Sequence, residues 1–152
     1  MEIKKVTLKD LKRIVNLEQK IFKKNAFSKD LIKNLIENNA LFLKLEIGNV
    51  KKKLIGFIIV IMDKKDRANM INFLIKPEFQ NKGFGSYILQ KTIDKIKDLK
   101  GIKKIVLNVQ ISNSAAIKLY EKFKFKKNPA ILENYYPSGE SAFLMELKLE
   151  IN

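Results

Sequence analysis

The chain has no cysteine, no histidine and no tryptophan, and it contains only 3 prolines and 6 glycines in 152 residues. Without cysteine there is no disulfide and no thiolate chemistry, and without histidine the usual imidazole base and the commonest metal ligand are missing. A zinc centre and a Ser-His-Asp triad are thereby excluded, and no metal is expected. No apolar run approaches the roughly 20 residues that span a bilayer. The start, Met1-Glu2-Ile3-Lys4, lacks the basic-then-apolar pattern of a secretory signal. A cytoplasmic protein with no membrane partner is expected. Acid is scarce too: 16 Asp plus Glu face 31 Lys plus Arg, a formal charge of +15. Such an excess steers polyanions towards a surface and makes nucleic acid an alternative partner. Yet the lysines are scattered, from Lys4 and Lys5 through Lys51, Lys52 and Lys53 to Lys126 and Lys127, with no basic arm and no Arg-rich helix. A Lys-rich solvated surface is the favoured reading of them.

What is present suits one domain over residues 1–152, a size that buries most of the apolar surface of the unfolded chain. Met1 to Val6 reads as a strand, and Thr7 with Asp10 resembles a capping box opening a helix with Leu11, Ile14, Val15, Ile21 and Phe22 on its apolar face. Ser28 caps a second helix, to about Asn38, carrying Leu31, Leu35 and Ile36. Strands are expected over Ala40 to Ile47 and Leu54 to Met62, around a Gly48-Asn49 turn, and over Met70 to Ile75, stopped by Pro77. A long helix follows from about Gly83 to Leu99, with Ile88, Leu89, Ile93, Ile96 and Leu99 inward. Then come a strand from Lys103 to Val109, a helix from Asn113 to Phe123 with Ala116, Leu119, Tyr120 and Phe123 inward, and strands over Phe125 to Leu132 and Ala142 to Leu149. The order β-α-α-β-β-β-α-β-α-β-β calls for an α/β architecture, a mixed sheet covered by helices.

Two places carry chemistry. Gln80-Asn81-Lys82-Gly83-Phe84-Gly85-Ser86 joins a strand to a helix N-terminus, where bare amides and the helix dipole favour an anion. Gly83 and Gly85 allow close approach and positive φ, and Lys82 adds a mobile charge. A structural Gly-x-Gly turn would look the same, and neither an ATP P-loop nor a dinucleotide fingerprint is matched. Further on, Asn113 lies where a strand passes into a helix, and Tyr120, seven residues later, returns to the same helix face. A phenol suits proton donation to a leaving thiolate; a core tyrosine would satisfy the same spacing.

Ile75-Lys76-Pro77-Glu78-Phe79-Gln80-Asn81-Lys82-Gly83-Phe84-Gly85, then Ser112-Asn113-Ser114-Ala115-Ala116-Ile117-Lys118-Leu119-Tyr120, then Asn134-Tyr135-Tyr136 with Glu140-Ser141-Ala142-Phe143-Leu144-Met145, resemble the GNAT acetyltransferases. Within that superfamily they are similar to the RimI-like branch of ribosomal-protein-alanine and protein N-terminal acetyltransferases. The likeness runs over essentially the whole chain. It implies the acyl-CoA N-acyltransferase fold and acetyl-CoA as co-substrate. By the same resemblance the backbone of Phe73, Leu74 and Ile75 would meet the pantetheine arm and polarise the thioester carbonyl. Gln80, Asn81, Lys82, Gly83, Phe84, Gly85 and Ser86 would hold the pyrophosphate, Asn113 would contact the coenzyme, and Tyr120 would be the general acid. Phe27, in the Asn25-Ala26-Phe27-Ser28 turn, with Tyr135 and Tyr136, would face the acceptor, a protein N-terminus such as that of a ribosomal protein.

One position departs from the resemblance. Where the similar bacterial enzymes carry a glutamate as general base this chain has Asn108, which cannot take the amine's proton and is retained as a substrate-side residue. The base is unassigned; Glu18 or a tyrosine acting through water are other acceptors. An α-amine is about one-tenth neutral at pH 7 and a lysine amine only about one part in a few thousand, so the loss favours an α-amine acceptor. Two other functions stay open: a small-molecule amine acetyltransferase, although a basic protein repels polyamines, and a basic RNA- or ribosome-binding module without turnover.

Overall fold

Helices begin where their capping side chains place them. In the computed structural model, which describes residues 1–38 and 40–150, Ser28 accepts the Leu31 N–H ahead of helix α2 (Lys29–Glu37), and Asn113 accepts the Ala116 N–H ahead of α4 (Ser114–Lys122). Thr7 and Asp10 open a short 3-10 turn, Leu8–Asp10, with the Thr7 N–H on Asp10 Oδ2; helix α1 (Leu11–Phe22) follows directly. The fourth helix, α3, covers Phe84–Lys97. Among the described residues no helix is long and apolar enough to cross a membrane.

Seven strands complete the order: β1 (Glu2–Lys5), β2 (Leu41–Ile47), β3 (Lys53–Lys64), β4 (Arg67–Ile75), β5 (Lys104–Gln110), β6 (Lys126–Leu132) and β7 (Ala142–Lys148). They form one sheet in the order β1-β2-β3-β4-β5-β7-β6. Pairing is antiparallel at β1/β2, β2/β3, β5/β7 and β6/β7 and parallel at β4/β5, which makes the sheet mixed as the element order requires. The parallel register runs from Arg67↔Lys104 to Met70↔Leu107.

The chain packs as two compact units. Met1–Val60 with Asn72–Gln90 make the first, where Ile14, Ile32, Phe42, Leu45, Ile55, Phe57, Ile88 and Leu89 are fully buried. Residues 54–60 of β3 are buried without interruption, the mark of a strand covered on both faces. Ile61–Ile71 with the chain from Lys91 onward make the second, where Ile105, Leu107, Ala142 and Met145 form the interior.

The expected elements recur with four corrections. Strand β4 begins at Arg67 rather than Met70, because the polar side chains that read as a loop pair with each other: Arg67 holds Asp63 in a two-bond fork at 2.9 and 2.7 Å, and Asn69 donates to the same carboxylate. Leu31 is exposed and Ile32, one position on, is buried with Leu35. Leu99 lies beyond the end of α3 and is exposed. On α4 the buried pair is Ile117 and Tyr120, with Ala116, Leu119 and Phe123 half-buried.

Candidate active site

Strand β4 ends against Pro77, which opens a 3-10 turn, Pro77–Phe79, and hands the chain to an exposed loop. Gln80 anchors that loop by donating its side-chain amide to the Ile75 carbonyl at 2.9 Å. Asn81 has φ +60° and Gly83 φ +86°; the left-handed positions are these two, whereas Gly85 lies inside the first turn of α3. A Cβ built on Gly83 meets nothing within 4 Å, so glycine is required there by backbone angle and the side it leaves bare is open. The first helical bond is Tyr87 N–H to Gly83 C=O. The amides of Phe84, Gly85 and Ser86 therefore stand ahead of the helical ladder. The Lys53 and Lys82 ammonium groups lie 5.1 and 5.9 Å from the Phe79 ring centre, which keeps positive charge beside the loop. Bare amides, an open face and flanking cations suit a diphosphate.

The segment leading into this loop is held tightly. A Cβ on Gly56 of β3 would come within 2.5 Å of the Leu74 carbonyl oxygen and 2.6 Å of Ile75 Cδ1, so only glycine lets β3 approach the end of β4. The Lys76 N–H bonds the Ile55 carbonyl at 2.8 Å. Leu74 and Ile75 are buried and Phe73 is half-buried. From α1, Glu18 reaches the same region: its Oε1 accepts Asn72 Nδ2 at 2.6 Å and its Oε2 accepts the Phe27 N–H at 2.8 Å. Burial pushes the Glu18 carboxyl above the usual range, against the opposing pull of those two bonds.

In the second unit four predicted residues meet. Asn108 of β5 donates its side-chain amide to the Tyr135 hydroxyl at 2.8 Å, while its Oδ1 is buried and finds no donor among the described residues. Tyr135 is half exposed and meets Tyr136 edge-on, ring centres 4.9 Å apart. The Tyr136 hydroxyl is pushed up to about 12 by burial and by the neighbouring Tyr135 and Glu140. Tyr120, 7% exposed, is driven higher by burial, with Tyr136 adding to the effect. Tyr120 packs on Phe125 at 5.8 Å between ring centres. Both phenols thus keep their protons at neutral pH, the form in which a hydroxyl can donate. Asn113 caps α4 with its side-chain oxygen.

The family model for the acetyltransferase (GNAT) family matches residues 11–125, which takes in the loop, Asn108, Asn113 and Tyr120. The chain belongs to that family. Among curated relatives of this GNAT protein, the ribosomal protein bS18-alanine N-acetyltransferase of Salmonella typhimurium is 36% identical over 89 residues, which is 57% of this chain and 59% of that enzyme. The matched stretch is thus under two thirds of the relative's length. An N-alpha-acetyltransferase of Sulfolobus acidocaldarius is 23% identical over 97% of this chain and 92% of its own. The crystal structure of the ribosomal-protein-S18-alanine N-acetyltransferase from Escherichia coli superposes with a TM-score of 0.84 at 28% identity, covering 99% of this chain and 95% of that one.

For a GNAT chain, three supporting residues went unforeseen or unplaced. Gly56 carries no motif, and only its close approach to Leu74 and Ile75 reveals it. Asn72 sits one position ahead of the expected segment. Glu18, weighed as a proton acceptor, has both oxygens engaged and is 1% exposed. Phe27 is half-buried, and its backbone N–H donates to Glu18.

Proposed function

We propose that this GNAT chain transfers the acetyl group of acetyl-CoA to the N-terminal α-amine of a protein. The coenzyme supplies an activated thioester when bound. The amides of Phe84, Gly85 and Ser86, with Asn81, Lys82 and Gly83, hold its diphosphate, and Gln80 fixes their loop to β4. The backbone of Phe73, Leu74 and Ile75 would align the pantetheine arm and polarise the thioester carbonyl, the latter through amides other than the Phe73 N–H, which Asn72 Oδ1 already holds, and Asn113 would contact the coenzyme. As the C–N bond forms and the C–S bond breaks, Tyr120, which keeps its proton at neutral pH, would offer it to the departing sulfur. The proton shed by the acylated nitrogen passes to solvent and Tyr120 is reprotonated from solvent, so that the net transfer is from nitrogen to sulfur. Tyr135, Tyr136 and Phe27 border the acceptor.

The observation that carries the choice of acceptor is Asn108. Its Oδ1 is buried without a donor among the described residues, on an amide that bonds the Tyr135 hydroxyl, and a neutral amine has an N–H to give it. An amide oxygen orients an amine but does not take up its proton. The acceptor must therefore arrive already neutral, which an α-amine does far more often than a lysine. The relatives named as a ribosomal protein bS18-alanine N-acetyltransferase and as an N-alpha-acetyltransferase support the same class of acceptor.

The test is direct. The full chain, acetyl-CoA and a peptide with a free N-terminus and one internal lysine are incubated, and fragmentation mass spectrometry locates the added acetyl group. Acetate on the α-amine is expected; acetate on the lysine alone overturns the proposal.

A further inference from the structure

Glu18 is a buried carboxylate for which the chemistry above has no use, and three hydrogen bonds converge on it and its neighbour. The Phe27 N–H donates to Oε2 at 2.8 Å, Asn72 Nδ2 donates to Oε1 at 2.6 Å, and Asn72 Oδ1 in turn accepts the Phe73 N–H at 2.9 Å. One end of this chain of bonds is the turn assigned to the acceptor side, and the other is the strand end assigned to the thioester. We infer that Glu18 is a positioning residue that couples the Phe27 turn to the Phe73 end of β4 through Asn72. The inference rests on the assignment of those two segments under the proposed function.

The polarity of the bonds gives the coupling its direction. A carboxylate only accepts, so it takes Asn72 by its NH₂ and leaves the Asn72 oxygen facing the Phe73 N–H. A glutamine at position 18 has one acceptor and one donor. If it keeps the Phe27 N–H it presents NH₂ to Asn72, whose amide must turn over, and the turned amide then confronts the Phe73 N–H with a second donor. The charge at Glu18 thus dictates what Phe73 receives, and it does so through a residue that touches both. Glu18 is 1% exposed with each oxygen occupied, an arrangement for holding two segments rather than for accepting a proton from an incoming amine. The chain leading into the turn needs holding: Lys23, which follows α1 directly, has φ +51°, a conformation that a non-glycine residue keeps only under restraint.

Single-amide hydrogen exchange by NMR on the full chain, with and without acetyl-CoA, separates coupling from plain structural support. In Asn72→Ala, the Phe27 amide, which that side chain does not touch, is expected to exchange about tenfold faster while the melting transition stays cooperative. In the parent, acetyl-CoA is expected to slow exchange at Phe27, and in Glu18→Gln that slowing disappears. With peptide acceptor, Glu18→Gln raises the acceptor KM about tenfold and leaves the acetyl-CoA KM within about twofold. Unchanged Phe27 exchange in Asn72→Ala, or equal slowing by acetyl-CoA in parent and Glu18→Gln, overturns the inference. An active parent with that result leaves the proposed function standing. A parent that binds no acetyl-CoA defeats the proposed function, while the ligand-free exchange of Asn72→Ala still decides the coupling.

Discussion

Replacing Tyr120 by Phe is expected to lower kcat about 10²-fold or more, the usual contribution of a positioned acid. The acetyl-CoA KM should change little, because the hydroxyl acts on the sulfur as charge develops and not on the bound ground state. The fold should survive: the ring keeps its place against Phe125, and loss of one hydroxyl costs about 1 kcal/mol. Burial raises the Tyr120 pKa and Tyr136 adds to it, so ionisation of Tyr120 lies above the ordinary phenol range. The sign of the pH effect follows. The acid form is full throughout neutral and mildly alkaline pH, so no fall in rate below about pH 10 arises from this residue. Steady-state kinetics of parent and variant against pH check both points. An unchanged kcat in the Phe variant would remove Tyr120 from the chemistry.

The second large effect concerns the acceptor. With equal peptide concentrations at pH 7, acetylation of an α-amine is expected to exceed that of a lysine amine by about a few hundredfold, the ratio of their neutral fractions. In the role proposed for it Asn108 orients the amine and takes up no proton, so it does not offset the difference. Rates on a peptide with a free N-terminus, and on the same peptide with its α-amine blocked and an internal lysine free, measure the ratio directly. Raising the pH should narrow the gap as lysine deprotonates. In Asn108→Glu a carboxylate would stand beside Tyr135, and the low-pH side of the rate profile should shift. A ratio near one, or faster lysine acetylation, would refute the role given to Asn108.

Local chemistry made much of the fold legible in advance. Ser28 and Asn113 announce their helices through oxygens that accept the Leu31 and Ala116 amides, and Pro77 ends β4 because it cannot extend a ladder. The turn from Gln80 to Ser86 into α3, and the Asn113 cap of the helix that carries Tyr120, could be read for the same reason: each is set by a short local stretch. Polar strand positions misled. Asp63, Arg67 and Asn69 look like loop residues until they are seen bonded to one another. What depends on distant partners had no local signal at all. Nothing near Gly56 hints that Leu74 will press against it, and nothing around Glu18 points to Asn72, 54 residues away. Left-handed backbone fell on Asn81 and Gly83 instead of on the two glycines, because Gly85 is already part of the helix.

The central claim is that amides bared at the start of α3 by the turn at Gly83 grip the diphosphate of acetyl-CoA. Titration calorimetry tests it with two ligands, acetyl-CoA and acetyl-pantetheine, which lacks the diphosphate, against the parent and Gly83→Ala. Alanine disfavours the φ of +86° and puts a methyl group on the open side of the loop. One-to-one binding of acetyl-CoA to the parent, weakened about tenfold or more in Gly83→Ala, is the expected result, with acetyl-pantetheine bound weakly and alike by both proteins. No saturable heat with the parent, or equal affinity for acetyl-CoA in parent and variant, would contradict it.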